Sequence, residues 1–387
     1  MRRWAWGTMV AIAGALVAAG CVVPLSTAGS TASIELVSSS TSGGWKFDYY
    51  RNRAYPCSVS GFQTFVVGTK VGSSTTAVAP LYTVMHGGGF GYFDASGAPI
   101  PGNGQKVEET AASLRQRLTS TGLMAQVKAD AAGFRTLAVS YCSHDLYSGV
   151  VSPDPHNPNL DANGKPRTTN GVLEVKAAVQ FVQQTYPTSK FFLYGGSAGS
   201  AGTFGVAWAF QQGGNAPAGI LADASVVNQE AFSAGVNAGI SCSANNDPVA
   251  GAALAARVHP DLANLANEPD KLVASGRLTV PILHIWNHGD KNTCGSPSVA
   301  CPMRDGSTVT MGYTDCIHEP MRQAIAAGGP TSRSQNLPVC VSTADLPGQC
   351  SVHVVMTTGG QVNTDPASPA DYQGAAIAWL HARLADG

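Results

Sequence analysis

The chain has 387 residues, of which 44% are hydrophobic and only 12% charged, and its formal net charge at pH 7 is −1. That apolar content supports a sizeable core and excludes a chain disordered throughout. The near-neutral balance argues against a nucleic-acid-binding domain, which needs a basic face, and offers no electrostatic capture of an acidic polymer.

Met1-Arg2-Arg3 supplies positive charge, Trp4 to Gly20 runs without a charged residue, and Ala18-Ala19-Gly20-Cys21 follows. A charged start, a short apolar stretch and small residues before a cut site describe an export signal, expected over residues 1–20. The approach to Cys21 resembles a bacterial lipobox, with Ala18 where Leu is more usual. Cys21 is therefore the expected lipidation site and membrane anchor; an ordinary signal peptide cut nearby, or an uncleaved anchor, is the alternative. Residues 21–44, rich in Ser, Thr and Gly, are expected to form a flexible tether, with a single domain from 45 to 387. Setting Cys21 aside, eight of the nine cysteines remain. An even number in an exported chain points to disulfides, and no pair has CxxC spacing, so staples are expected and no metal.

The predicted elements alternate along the chain. Gln63–Val67 and Pro80–Met85 read as strands, Glu108–Leu118 and Met124–Ala131 as helices, and Phe134–Tyr141 as a strand. Val172, Val175, Val179 and Val182 recur at the spacing of an amphipathic helix. Phe191–Tyr194 is a short apolar strand, and Gly199–Gln212 follows as a helix. Gly219–Ala222 and Val280–Trp286 are further strands, Val352–Met356 a strand or its flank, and Ala375–Leu384 a final helix. Continuous apolar strands between helices imply an α/β fold: a mostly parallel sheet with helices on both faces. The irregular stretch Asn228–Arg277 is expected to cap that sheet.

Gly195-Gly196-Ser197-Ala198-Gly199 matches G-x-S-x-G between a strand and a small-residue helix, the context that gives this motif its meaning. The serine of such an elbow sits in a strained turn that only small neighbours can accommodate. The turn lifts its hydroxyl above the sheet and aims the next amide, that of Ala198, at a developing oxyanion. A phosphate-binding P-loop is excluded, because no Gly-Lys-Ser/Thr follows. His86-Gly87-Gly88-Gly89 ends an earlier strand and supplies the other half of an oxyanion hole, with Gly88 and Gly89 as donors beside Ala198.

In such enzymes the acid follows a later strand and the base comes after it. Asp290, just past Val280–Trp286, fits; Asp223, at the end of Gly219–Ala222, is the rival, and Asp270 and Asp305 are less well placed. Of nine histidines, His86, His144, His156 and His259 precede the acid. His284 lies inside a strand as a core residue, His288 is too close to Asp290, and His381 sits in the last helix. His353, three residues after Cys350, is the leading base, since a disulfide there would fix its loop; His318 is the second candidate.

Taken together, these segments resemble the pectin acetylesterase/Notum family of α/β-hydrolases. The resemblance runs in order through His86–Gly89, Tyr141–Gly149, Gly195–Gly202, Leu221–Ala224, Pro281–Asp290 and Cys350–His353, spanning most of residues 80–355. His86 departs from that family's pattern, which has Glu before the glycines. The resemblance implies an α/β-hydrolase fold and a metal-free, cofactor-free serine esterase with Ser197, Asp290 and His353 as its triad. It also implies that Asp223 occupies a position distinct from the acid. The resemblance implies ester hydrolysis on acylated carbohydrate or lipidated protein without fixing which; the expected partner is an acylated carbohydrate or other ester, with a short acyl group such as acetyl removed, and no nucleic acid. A lipase-like or polyester hydrolase with the same triad, acting on lipidated protein or other esters, is the alternative reading, and a surface-tethered lipoprotein without activity is the other.

Overall fold

The structure is a computed structural model that describes residues 22–89, 93–94, 96–99, 107–119, 121–161, 163–240, 257–328, 333–342, 348–357, 363–365 and 368–386. The expected signal and Cys21 lie outside these residues. Nine strands form the central sheet: β1 (Ile34–Ser42), β2 (Trp45–Pro56), β3 (Phe62–Lys70), β4 (Ala79–Met85), β5 (Arg135–Val139), β6 (Thr188–Gly196), β7 (Gly219–Asp223), β8 (Ile282–Asn287) and β9 (Gln335–Val339). Their spatial order is β1-β2-β3-β5-β4-β6-β7-β8-β9. The first three are an antiparallel meander joined to β5, and β4 through β9 run parallel.

The central strands are buried on both faces, which is why Leu81, Leu137, Phe192, Leu193, Ile220 and Ile282 read as unbroken apolar runs. Helices Gly171–Thr185 and Ala198–Gln212 cover one face, and Ala111–Thr119, Leu123–Ala129 and Tyr372–Ala385 cover the other. Between β7 and β8 the expected cap region contains helices Gln229–Asn237, Pro260–Ala263 and Pro269–Ala274.

Two expectations are corrected. Residues 22–44 do not form a flexible tether. Leu25 is buried, its carbonyl accepts Lys176 Nζ at 2.9 Å, and the Val23 carbonyl pairs with His259 Nε2 at 2.9 Å. Ile34–Ser42 then pairs along β2 as the edge strand of the sheet. Leu36 to Ser42 are exposed at every position, and a polar, Ser/Thr-rich edge strand has the composition of a linker, so composition does not separate the two. Val352–Met356 is not a strand; it is the loop carrying His353 followed by a single 3₁₀ turn at Val355–Thr357. The last parallel strand is Gln335–Val339 instead, whose Gln335, Asn336 and Pro338 suit an edge position.

Disulfides join Cys57 to Cys142, Cys301 to Cys316 and Cys340 to Cys350. Cys294 is also disulfide-bonded, and Cys242 lies outside the described residues. These bridges fit an extracellular protein. Among the described residues, no helix is long and apolar enough to cross a membrane.

Candidate active site

Parallel strands end together at the carboxyl edge of the sheet, where a doubly wound fold collects its functional loops. β4 delivers His86–Gly89, β6 delivers Ser197, β7 ends at Asp223, β8 leads to Asp290, and β9 leads through Cys340 to the loop of His353.

Ser197 has φ 56° and ψ −124°, a left-handed conformation that costs a non-glycine residue about 1–3 kcal/mol and persists only where surroundings enforce it. The enforcement is visible. The Ser197 amide donates to the Asp223 carbonyl at 3.0 Å, and helix Ala198–Gln212 starts at the next residue. A Cβ on Gly199 would lie 1.9 Å from the Met85 carbonyl oxygen, so the elbow closes on β4 only with glycine there. A Cβ built on Gly87 would stand 3.0 Å from Ser197 Oγ, which puts the glycine loop directly against the candidate nucleophile. The Gly88 and Gly89 amides have no hydrogen-bond partner among the described residues.

Asp290 and His353, 63 residues apart, meet through His353 Nδ1 and Asp290 Oδ2 at 2.6 Å. The Asp290 side chain is 2% exposed and that of His353 13%. The second carboxylate oxygen of Asp290 accepts the Asn292 amide at 2.8 Å, so the carboxylate is held at both ends. The His353 loop is tied at three points: by the Cys340–Cys350 bridge, by Asn287 Nδ2 to the Val352 carbonyl at 2.8 Å, and by Asp223. Asp223 accepts the Val355 amide at 3.2 Å, the Met356 amide at 2.9 Å and the Tyr194 hydroxyl at 3.0 Å. The rival acid thus holds the elbow through its carbonyl and the loop after His353 through its carboxylate. Burial, opposed by these hydrogen bonds and by the charge of His353, pushes its carboxyl up to about 7.

Ser197, His353 and the Gly87–Gly89 loop line one cavity of about 490 Å³. Its lining includes the apolar or aromatic side chains of Tyr82, Val84, Leu123, Met124, Tyr194 and Met356 beside polar ones such as Gln116, Arg117 and Asn292. Among the described residues His353 Nε2 has no hydrogen-bond partner, so Ser197 and His353 share the cavity without being bonded to each other. Such contacts are commonly long in the ligand-free state and tighten in the substrate complex.

His318 is not part of this cavity. Its Nδ1 meets His284 Nε2 at 2.8 Å, and His284 Nδ1 meets Asn336 Oδ1 at 3.0 Å. Burial, against the Asn336 hydrogen bond, pushes His284 down to about 4. Burial, then the charges of His284, His353 and His288, holds His318 well below the ordinary imidazole value. In the unfolded chain both titrate near 6.5. The unfolded state therefore binds more protons below that pH, and stability is complete above about 6.5 and is lost as pH falls toward 4. The expected result is a melting temperature that drops over that window, with a His284→Gln/His318→Gln variant losing much of the slope; equal slopes in both proteins would contradict it.

Glu109 falls in the expected helix Glu108–Leu118, but that helix begins at Ala111 and Glu109 is buried ahead of it; neither this nor the structural part played by Tyr141 was legible in the sequence. The Tyr141 ring stacks on His144 and Tyr147, with centroids 4.4 and 4.6 Å away, and its hydroxyl donates to the Gly89 carbonyl at 2.9 Å. The Tyr141–Gly149 block thereby supports the glycine loop from behind. Among the described residues, no group of three or more His, Cys, Asp or Glu is arranged to hold a metal ion.

No protein-family model matches this chain, and no curated protein matches its sequence. Solved structures do resemble it. The Wnt deacylase Notum from Drosophila is 14% identical, with 90% of this chain and 93% of that one covered and a TM-score of 0.50. An S-formylglutathione hydrolase from Agrobacterium tumefaciens is 12% identical, with 90% and 99% covered and a TM-score of 0.48. With its mostly parallel sheet and flanking helices, the protein has the α/β-hydrolase fold.

Proposed function

We propose that this protein is an exported serine carboxylester hydrolase of the pectin acetylesterase/Notum type. The observation that carries the reading is one cavity that joins a serine at φ 56° to an imidazole already paired with a buried carboxylate. In this reading His353 takes the Ser197 proton as Ser197 attacks an ester carbonyl. Asp290 holds the imidazole tautomer and stabilises the imidazolium. The amides of Gly88, Gly89 and Ala198 receive the oxyanion, and water then releases the acyl group. No metal or cofactor enters these steps. The residues before Val22 act as the export signal, with Cys21 as the lipid-bearing anchor.

A fluorophosphonate should form a covalent adduct on Ser197, located by mass spectrometry, because only an activated serine reacts. An unlabelled, folded protein would sink the enzyme reading in favour of an inert binding lipoprotein. Acetyl esters of carbohydrate are the substrates proposed first. The apolar or aromatic side chains of Tyr82, Val84, Leu123, Met124, Tyr194 and Met356 favour a second reading in which longer acyl chains are removed. A series of p-nitrophenyl esters separates the two: a steep fall in kcat/KM beyond acetyl supports the deacetylase, and a maximum at longer chains the lipase-like enzyme.

A further inference from the structure

We infer that His86, braced by Glu109, is a positioning residue that sets the orientation of the Gly87–Gly88 peptide and so aims the Gly88 amide into the cavity. This rests on the serine-hydrolase reading above and concerns the one residue at which the glycine loop departs from the family it resembles.

Every polar atom of the His86 ring is engaged. Nδ1 lies 2.7 Å from the Gly87 carbonyl oxygen, and Nε2 lies 2.8 Å from Glu109 Oε1. A carbonyl oxygen only accepts, so Nδ1 carries a proton, and one further proton is shared between Nε2 and the Glu109 carboxylate. Both side chains are largely withdrawn from solvent, at 10% and 7% exposure.

The consequence for the loop follows from peptide planarity. In a trans unit the carbonyl and the following N–H point in opposite directions. Holding the Gly87 oxygen toward the imidazole turns the Gly88 N–H away from it, and that N–H has no partner among the described residues. Glycine on both sides of this peptide leaves it free to flip, because no Cβ restricts either residue. The His86 ring removes that freedom.

Glu109 in turn is fixed to the body of the protein. Its carbonyl accepts the Tyr49 hydroxyl at 2.7 Å and the Thr64 hydroxyl at 3.0 Å, from β2 and β3. Its Oε1 also accepts the Tyr141 amide at 2.7 Å. Burial alone would raise this carboxyl, but the charge of His86 and the bonds from His86 and Tyr141 outweigh it and hold it below its ordinary value. The Tyr147 hydroxyl on the His86 carbonyl, at 3.3 Å, completes the support. A chain of bonds thus runs from the sheet through Glu109 and His86 to the peptide facing Ser197.

The test uses full-length exported protein, with turnover of p-nitrophenyl acetate expressed per active site titrated by fluorophosphonate. Loss of one oxyanion donor costs roughly 10²–10³ in kcat, so His86→Ala is expected to lower kcat by about 10²-fold with KM nearly unchanged. Glu109→Gln, which keeps an oxygen for the Tyr141 amide but removes the charge, is expected to lower kcat by about tenfold. Inhibition by an alkyl trifluoromethyl ketone, whose adduct carries the oxyanion, should weaken in step with kcat/KM. A purely structural role would reduce the number of titrated sites and leave both readouts per site unchanged. Wild-type kcat per site in His86→Ala overturns the brace; should that variant not fold, wild-type kcat in Glu109→Gln does so. A wild-type protein that neither labels nor turns over overturns the hydrolase reading and the brace with it.

Discussion

Replacing Ser197 by alanine is expected to lower kcat for p-nitrophenyl acetate by about 10⁶-fold, the scale seen when the nucleophile of a serine hydrolase triad is removed. The substitution takes away one oxygen and leaves the elbow otherwise as it is. Its amide bond to the Asp223 carbonyl at 3.0 Å involves only backbone, and so does the start of the following helix. The folded state should therefore survive, with a cooperative melting transition close to that of the wild type. Residual turnover would reflect the oxyanion amides and substrate binding alone, roughly 10³–10⁴ above the uncatalysed reaction. Activity near wild type would mean that the serine at φ 56° is a strained turn with no chemistry.

Asp290→Asn should produce the next largest loss, about 10⁴-fold in kcat at neutral pH. Asparagine keeps the shape and can still accept the Asn292 amide on its oxygen, the bond that measures 2.8 Å in the wild type. Its amide nitrogen, however, donates where the carboxylate accepted. His353 Nδ1 must then be the unprotonated nitrogen, and the proton moves to Nε2, which can no longer take the one from Ser197. Asp223→Asn is the internal control. It loosens the amides of Val355 and Met356 but leaves the imidazole tautomer alone, so its loss should be clearly smaller. If Asp223→Asn proves the more damaging of the two at equal thermal stability, the acid has been assigned to the wrong strand end.

These expectations rest on features that differ in how far the amino-acid order reveals them. The elbow at Gly195–Gly199 and the glycines after His86 are local: sterics demand small residues within five positions, and those demands appear as a contiguous motif. The central strands and helices are likewise legible, because burial on both faces writes an apolar run and burial on one face writes a period near 3.6. Legibility fails where an element is half exposed or broken. Strand β1 carries Ser and Thr on an open edge, β9 contains Pro338, and helix Tyr313–Ala326 contains Pro320 in its interior.

The proposed order of nucleophile, acid and base could be read from the chain, together with the fold class and the cysteine count. Residue order alone left Asp223 and Asp290 open, because both end strands, and only the resemblance favoured Asp290; in the folded chain it is Asp290 that meets the His353 imidazole, because β9 and its disulfide-closed loop bring that ring beside it, while the Asp223 carboxylate takes the amides beyond it. Only the folded chain decided that Glu109, an unremarkable residue ahead of a helix, stands under His86. Local sterics leave a signature in neighbouring residues, whereas a hydrogen bond between side chains dozens of residues apart leaves none until the sheet brings its strand ends to one edge.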